Sequence, residues 1–191
     1  MPADTYKNQK RGGKGVIGLS TREEDFVENL FTASTHHFLL FFTNKGKVYR
    51  LKAYEIPEGS RQAKGTAIVN LLQLDADEKV TTVIPVAEYK EDSYLIMATK
   101  HGLIKKTGLM EYDNIRKSGI TGVTLRDNDE LIDVKMTDGG QDIMLVTRNG
   151  MSIRFNEQDV RPVGRAAQGV IGIKLDDDDF VIGMEVCAKG S

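Results

Sequence analysis

The chain has 191 residues, 40% hydrophobic and 28% charged, enough to bury the core of one or two ordinary domains. It holds no apolar run of about 18 residues and does not open on a charged-then-apolar leader, which excludes a helical membrane span and a secretory signal and predicts a cytosolic protein. A single cysteine, Cys187, excludes a disulfide framework, and a net charge of -2 does not by itself announce a nucleic-acid partner.

The first element is a basic loop, Gln9, Lys10, Arg11, Gly12, Gly13, Lys14, Gly15, followed by the apolar Val16-Ile17-Gly18. Gly13, Gly15 and Gly18 satisfy G-x-G-x-x-G formally. A dinucleotide site needs a helix opening on the last glycine, so that its N-terminus meets the pyrophosphate, and here a strand follows. G-x-x-x-x-G-K-[ST] is not matched either. After an acidic turn, "STREEDF", comes "FLLFFTNKGKVYRL" (38–51), two apolar runs joined by a Thr-x-x-Gly turn, which predicts a β-hairpin. Next are "KGTAIVNLLQL" at Gly65, the acidic "DADEKV" and a strand, "VTTVIPV" (80–86).

The same order then returns. A second hairpin, "YLIMATKHGLIKKT" (94–107), leads to "SGITGVTL" at Gly119, the acidic "RDNDEL" and the strand "LIDVKMT" (131–137). A third, "DIMLVTRNGMSIRF" (142–155), leads to "QGVIGIKL" at Gly169, "DDDDFV" and "FVIGMEV". Self-similarity near 50 residues predicts an array of units that cannot bury both faces of their sheets alone. Helical periodicity is nearly absent, and Gly, Thr, Val and Ile dominate. The expected fold is therefore all-β and propeller-like, built of four-stranded blades with repeats near 1–37, 38–92, 93–140 and 141–191. The first repeat lacks its two leading strands and the last stops soon after its final strand, so about three to four blades of a larger protein are expected.

Charge follows the repeat. From turn threonine to landmark glycine (43–65, 99–119 and 147–169) there are 15 basic against 6 acidic residues, which leaves 11 of the 26 basic and 22 of the 28 acidic residues elsewhere. Equivalent positions of successive blades share one part of the circumference, so the basic windows should join into a positive band, with the acidic turns gathered elsewhere. Such a band suits a long polyanion. The same charges could instead solvate exposed loops, or bind acidic proteins on a propeller-type scaffold. An enzyme with a small-molecule site at the disc axis has no residue constellation behind it: no serine, histidine and acid recur together. His36 and His37 are neighbours that a strand would point to opposite faces, so they do not share a metal. His101 is read as a turn residue, and Asp176 to Asp179 as a solvated turn, since "DADE" and "DNDE" fill the same slot.

The heptad 9–15 resembles the gyrase-A box, Q-(R/K)-R-G-G-(R/K)-G, which marks the C-terminal domain of the A chain of bacterial DNA gyrase, and all seven positions match. The likeness extends to "STREEDFVENLF", to 39–72 and to "GRAAQGVIGIKL", with looser boxes at "SRQAKG", "NIRKSG" and "VGRAAQG". It implies a β-pinwheel whose blades exchange strands and whose basic rim wraps duplex DNA without reading its sequence. The contacts it suggests are Gln9, Lys10, Arg11, Gly12, Gly13, Lys14 and Gly15, with Lys45, Lys47, Arg50, Arg61, Lys64, Lys100, Lys105, Arg116, Lys117, Arg148 and Arg165. Neither catalytic residues nor a metal site are expected in the fragment. The parent implied is a type II topoisomerase that introduces negative supercoils, a heterotetramer of two gyrase A and two gyrase B chains using ATP and Mg2+ through gyrase B. It would be cytoplasmic and nucleoid-associated. The corresponding chain of topoisomerase IV carries a similar domain without an intact box.

Overall fold

The computed structural model describes residues 37–56 and 71–188. Three antiparallel hairpins organise them: β1 (Phe38–Thr43) with β2 (Lys47–Lys52), β4 (Tyr94–Thr99) with β5 (Leu103–Gly108), and β8 (Asp142–Thr147) with β9 (Ser152–Asn156). The first strand of each takes a further partner on its other side, β3 (Val80–Val86), β7 (Leu131–Thr137) and β11 (Val181–Cys187) respectively. The fourth strand comes from the next repeat. Two-residue β6 (Ile120–Thr121) follows β5 in sequence yet pairs with β2, placing Ile120 opposite Val48 and Thr121 opposite Lys47. In the same way β10 (Val170–Ile171) follows β9 but pairs with β5. The sheet orders are β3-β1-β2-β6, β10-β5-β4-β7 and β11-β8-β9. The all-β, propeller-like expectation holds, and the exchange implied by the resemblance is present at both junctions that the described residues contain.

The hydrophobic runs explain why the sheets stack. A run such as "FLLFF" has no polar alternation, which a strand tolerates only if both faces are covered. Leu40 and Phe42 of β1 bury one face with Val48, Ile84 and Val86 against Leu95, Met97, Leu131 and Val134 of the second sheet. Leu39 and Phe41 bury the other with Tyr49, Leu51 and Leu72. In β4 the alternate residues Ile96 and Ala98 meet Ile143, Leu145, Val181 and Met184 of the third sheet. Each buried Leu, Ile, Phe or Met contributes about 1.5–3 kcal/mol. β3 packs on β7 and β7 on β11, so these strands share the inner side of the array. β6 and β10, at the opposite sheet edges, form its rim.

The recurring turn is closed by its own hydrogen bonds. In Thr-x-x-Gly the glycine N–H donates to the threonine carbonyl at 3.0–3.1 Å, and Gly46, Gly102 and Gly150 all take positive φ. The hydroxyls of Thr99 and Thr147 accept from the N–H after the glycine, in Leu103 and Met151, each at 3.1 Å. The acidic turn folds onto this hairpin turn through one buried acid per repeat, Glu78, Asp129 or Asp179. Glu78 accepts from the Thr43 hydroxyl (2.7 Å) and the Tyr49 hydroxyl (2.9 Å), Asp129 from the His101 N–H (3.0 Å), and Asp179 from the Asn149 N–H (3.0 Å). The acidic turns are thus only partly solvated, and they lie against the hairpin turns instead of gathering elsewhere. Burial would push the Asp179 carboxyl up, but the Thr147 hydroxyl, the Asn149 and Phe180 N–H groups and Arg148 outweigh it and hold the group below the usual carboxylate range.

The landmark glycines dock the exchanged strand. Gly119 has φ +82°, and a Cβ there would lie 2.6 Å from the Tyr49 ring of the preceding sheet. A Cβ at Gly169 would lie 2.7 Å from the Ile104 carbonyl oxygen. Three residues on, the Gly122 and Gly172 N–H groups donate to the Gly46 and Gly102 carbonyls, each at 2.8 Å. At Gly119 and Gly122, and at Gly169 and Gly172, the repeated glycine spacing is therefore a packing device that leads into a strand. Gly119→Ala is expected to destabilise the chain by about 1–3 kcal/mol through overpacking and backbone strain, read as a lower urea midpoint at unchanged m-value.

Candidate nucleic-acid interface

The loops that feed the exchanged strands carry cations along the rim. Counting repeats from here on by their hairpins, the loop of the second runs from a 3-10 turn, Leu109–Tyr112, to Gly119, and that of the third from Glu157–Asp159 to Gly169. Arg116 and Lys117 are exposed on the first and form no ion pair among the described residues. On the second, Arg161 is exposed and Arg165 half-buried. The second loop is fastened to the segment just past β6: the Thr124 hydroxyl donates to the Ala166 carbonyl at 2.6 Å, and the Thr124 N–H to that of Ala167 at 3.3 Å. Arg165 crosses the same seam, its guanidinium donating to the Thr121 carbonyl of β6. Arg161 escapes a search for the heptad, because it lies outside the "VGRAAQG" match; the length of the loop is the available signal.

The remaining expected contacts divide by environment. Gln9, Lys10, Arg11, Gly12, Gly13, Lys14, Gly15, Arg61 and Lys64 lie outside the described residues. Lys45 pairs with Asp77 at 2.9 Å and Lys47 with Asp75 at 3.9 Å, both at the surface. The hydrogen bond between Lys45 and Asp77, reinforced by their charges, raises the Lys45 amine above its ordinary value and lowers the Asp77 carboxyl. Arg50 donates to the Asp113 carbonyl at 2.6 Å and stacks 4.8 Å from the Phe38 ring, so it braces the second-repeat loop against β2. Lys100 and Arg148, from successive hairpin turns, lie 5.1 and 5.5 Å from one ring, Phe180. The cations of the hairpin turns thus face acids or a ring, whereas Arg116, Lys117, Arg161 and Arg165 form no ion pair or ring contact among the described residues.

Lys105 requires a correction. It is 2% exposed, and its amine donates to the Gly122 carbonyl at 2.7 Å and to the Arg165 carbonyl. Burial, with the Arg165 charge adding to it and Glu111 opposing, pushes the amine down to about 7. It has no surface to offer a phosphate. Lys106, counted with the basic band, is buried as well, 3.3 Å from the carboxylate of fully buried Glu157. Two adjacent lysines in a strand of a hairpin read as exposed charge only while their partners, 17 to 60 residues downstream, are unknown.

No helix among the described residues is long and apolar enough to cross a membrane. A family model described as the DNA gyrase C-terminal domain, beta-propeller, matches residues 1–34, 37–87, 93–138 and 141–188. The gyrase A protein of Clostridium acetobutylicum is 59% identical over 170 residues, covering 89% of this chain and 20% of that protein. The gyrase A protein of Staphylococcus aureus is 47% identical over 192 residues, covering 100% of this chain and 22% of that protein. The chain spans about a fifth of the length of these relatives. Among solved structures, the C-terminal domain of DNA topoisomerase IV superposes with a TM-score of 0.76 at 34% identity, covering 81% of this chain and 48% of that one. The DNA gyrase A C-terminal domain gives 0.74 at 26% identity, covering 97% and 60%.

Proposed function

The chain belongs to the DNA gyrase C-terminal β-propeller family, and from that premise we propose that its rim binds duplex DNA without sequence preference and bends it around the outer edge. The observation that supports this reading is the seam at Thr121, Thr124 and Ala166, which fastens the loop of Arg161 and Arg165 to the segment that the loop of Arg116 and Lys117 feeds. Lysine and arginine neutralise phosphates and release condensed counterions whatever the sequence, which is what wrapping requires. The band must also offset the cost of bending, on the order of 1–6 kcal/mol for 40–90° over 20–30 base pairs. One loop is too little for that, and successive loops on one rim add their contacts.

Gln9 to Gly15 would open the same rim two repeats before Arg116 and Lys117, with Arg61 and Lys64 on the loop between. In the parent enzyme, wrapping would present a crossing segment to a strand-passage machinery held elsewhere in gyrase A and in gyrase B. ATP and Mg2+ would act there. The likeness to the topoisomerase IV domain favours a second parent, while the intact heptad at 9–15 favours gyrase. Closing nicked circles with ligase in the presence of the chain tests the function directly. The linking number is expected to shift in proportion to bound chain. A chain that leaves linking number unchanged and fails to retard duplex DNA would instead be a scaffold for acidic proteins.

A further inference from the structure

We propose that Lys105 is a positioning residue that fixes the third-repeat rim loop relative to the strand exchanged onto the first sheet, and so sets the spacing between phosphate contacts on neighbouring loops; this rests on the DNA-binding reading above.

The side chain sits where three repeats converge. Its backbone belongs to β5 in the second sheet, the Gly122 carbonyl closes the strand lent to the first sheet, and the Arg165 carbonyl lies in the loop that feeds the strand lent to the second. The Tyr112 hydroxyl donates to the same Gly122 oxygen at 2.9 Å. That oxygen therefore keeps a donor if the amine is lost, whereas the Arg165 carbonyl would lose its lysine donor. At the equivalent position the first repeat has Tyr49, whose hydroxyl turns to the Gln73 carbonyl and Glu78, and the third has Ile153. The amine link is therefore particular to this seam. Two carbonyls need two N–H groups, which a lysine amine supplies in either protonation state, so the link survives loss of the third proton.

Joint engagement of two loops is an avidity effect and is lost when geometry forbids both contacts at once. Phosphates recur about every 3.4 Å along each strand, so a loop shifted by a few ångströms meets the wrong one. The test compares Lys105→Met with the unsubstituted 191-residue chain on two duplexes. One, of about 8 base pairs, can engage a single loop; the other, of about 30, can span several. Lys105→Met is expected to weaken binding of the long duplex about tenfold while the short one changes less than about twofold. Thr124→Val removes the Thr124–Ala166 bond at the same seam and is expected to act in the same direction, more weakly; it carries the comparison if Lys105→Met does not fold. Equal weakening on both duplexes by a folded variant would make Lys105 a direct contact and overturn the proposal, as would no weakening of the long one. Failure of the unsubstituted chain to bind either duplex would overturn the DNA-binding reading itself.

Discussion

Glu157→Ala is expected to lower the unfolding free energy by about 3–5 kcal/mol, the range for removing one partner of a buried ion pair. Glu157 is fully buried, and its carboxylate accepts from the Lys106 amine (3.3 Å), the Thr137 hydroxyl (2.8 Å) and the Gln141 N–H (2.9 Å). Alanine would leave the lysine 4% exposed with its charge uncompensated, close to the Tyr94 ring at 4.5 Å, and would orphan the hydroxyl and the amide. The same carboxylate ties the start of the 3-10 turn after β9 to the β7–β8 connection and to β5, so three elements loosen together. Against a typical total of about 5–15 kcal/mol this is a large share. Urea titration should show the midpoint falling steeply. Lys106→Met combined with Glu157→Leu should recover much of the loss, since a matched apolar pair avoids desolvating two charges. If Glu157→Ala left the midpoint within experimental scatter, the carboxylate would not be compensating the lysine.

Much of this architecture is legible in the residues themselves. Thr-x-x-Gly between apolar runs specifies each hairpin because it supplies a positive-φ closing residue and, at Thr99 and Thr147, a hydroxyl to accept the next N–H. The unbroken "FLLFF" and "YLIMA" runs report strands covered on both faces, and hence stacked sheets. Strand exchange is not legible from pattern: β6 and β10 are two residues long, and their apolar character does not say which sheet receives them. The Gly119 and Gly122 pair holds that information, but only once Tyr49 and Gly46 are seen against it. Charge is legible as a total and misleading in detail. Lys105 and Lys106 count as cations in sequence, yet one is consumed by carbonyls of two repeats and the other by Glu157. Glu78, Asp129 and Asp179 read as solvated acids, yet each closes a turn from the inside.

Replacing Lys10, Arg11 and Lys14 together with alanine is expected to remove most of the shift in linking number while leaving the fold intact. The glycines equivalent to Gly15 in the later repeats, Gly119 and Gly169, dock against Tyr49 and Ile104 through close backbone approach. Docking of this kind does not call on the cations that precede the glycine, so circular dichroism and the urea midpoint should move little. DNA binding should respond strongly. A chain that neutralises about seven phosphates has a log-affinity against log-salt slope of about -6 and weakens about four-thousandfold between 50 and 200 mM salt. Removing three contacts takes the slope to about -3.6 and the weakening to about a hundredfold, so the two proteins differ most at low salt and converge as salt rises. On the proposed reading these three cations would begin the path on the rim, so their loss would shorten the arc over which bending is held and let the duplex straighten between the remaining loops. A triple variant with an unchanged salt slope and an unchanged linking-number shift would place the wrapped DNA elsewhere on the domain.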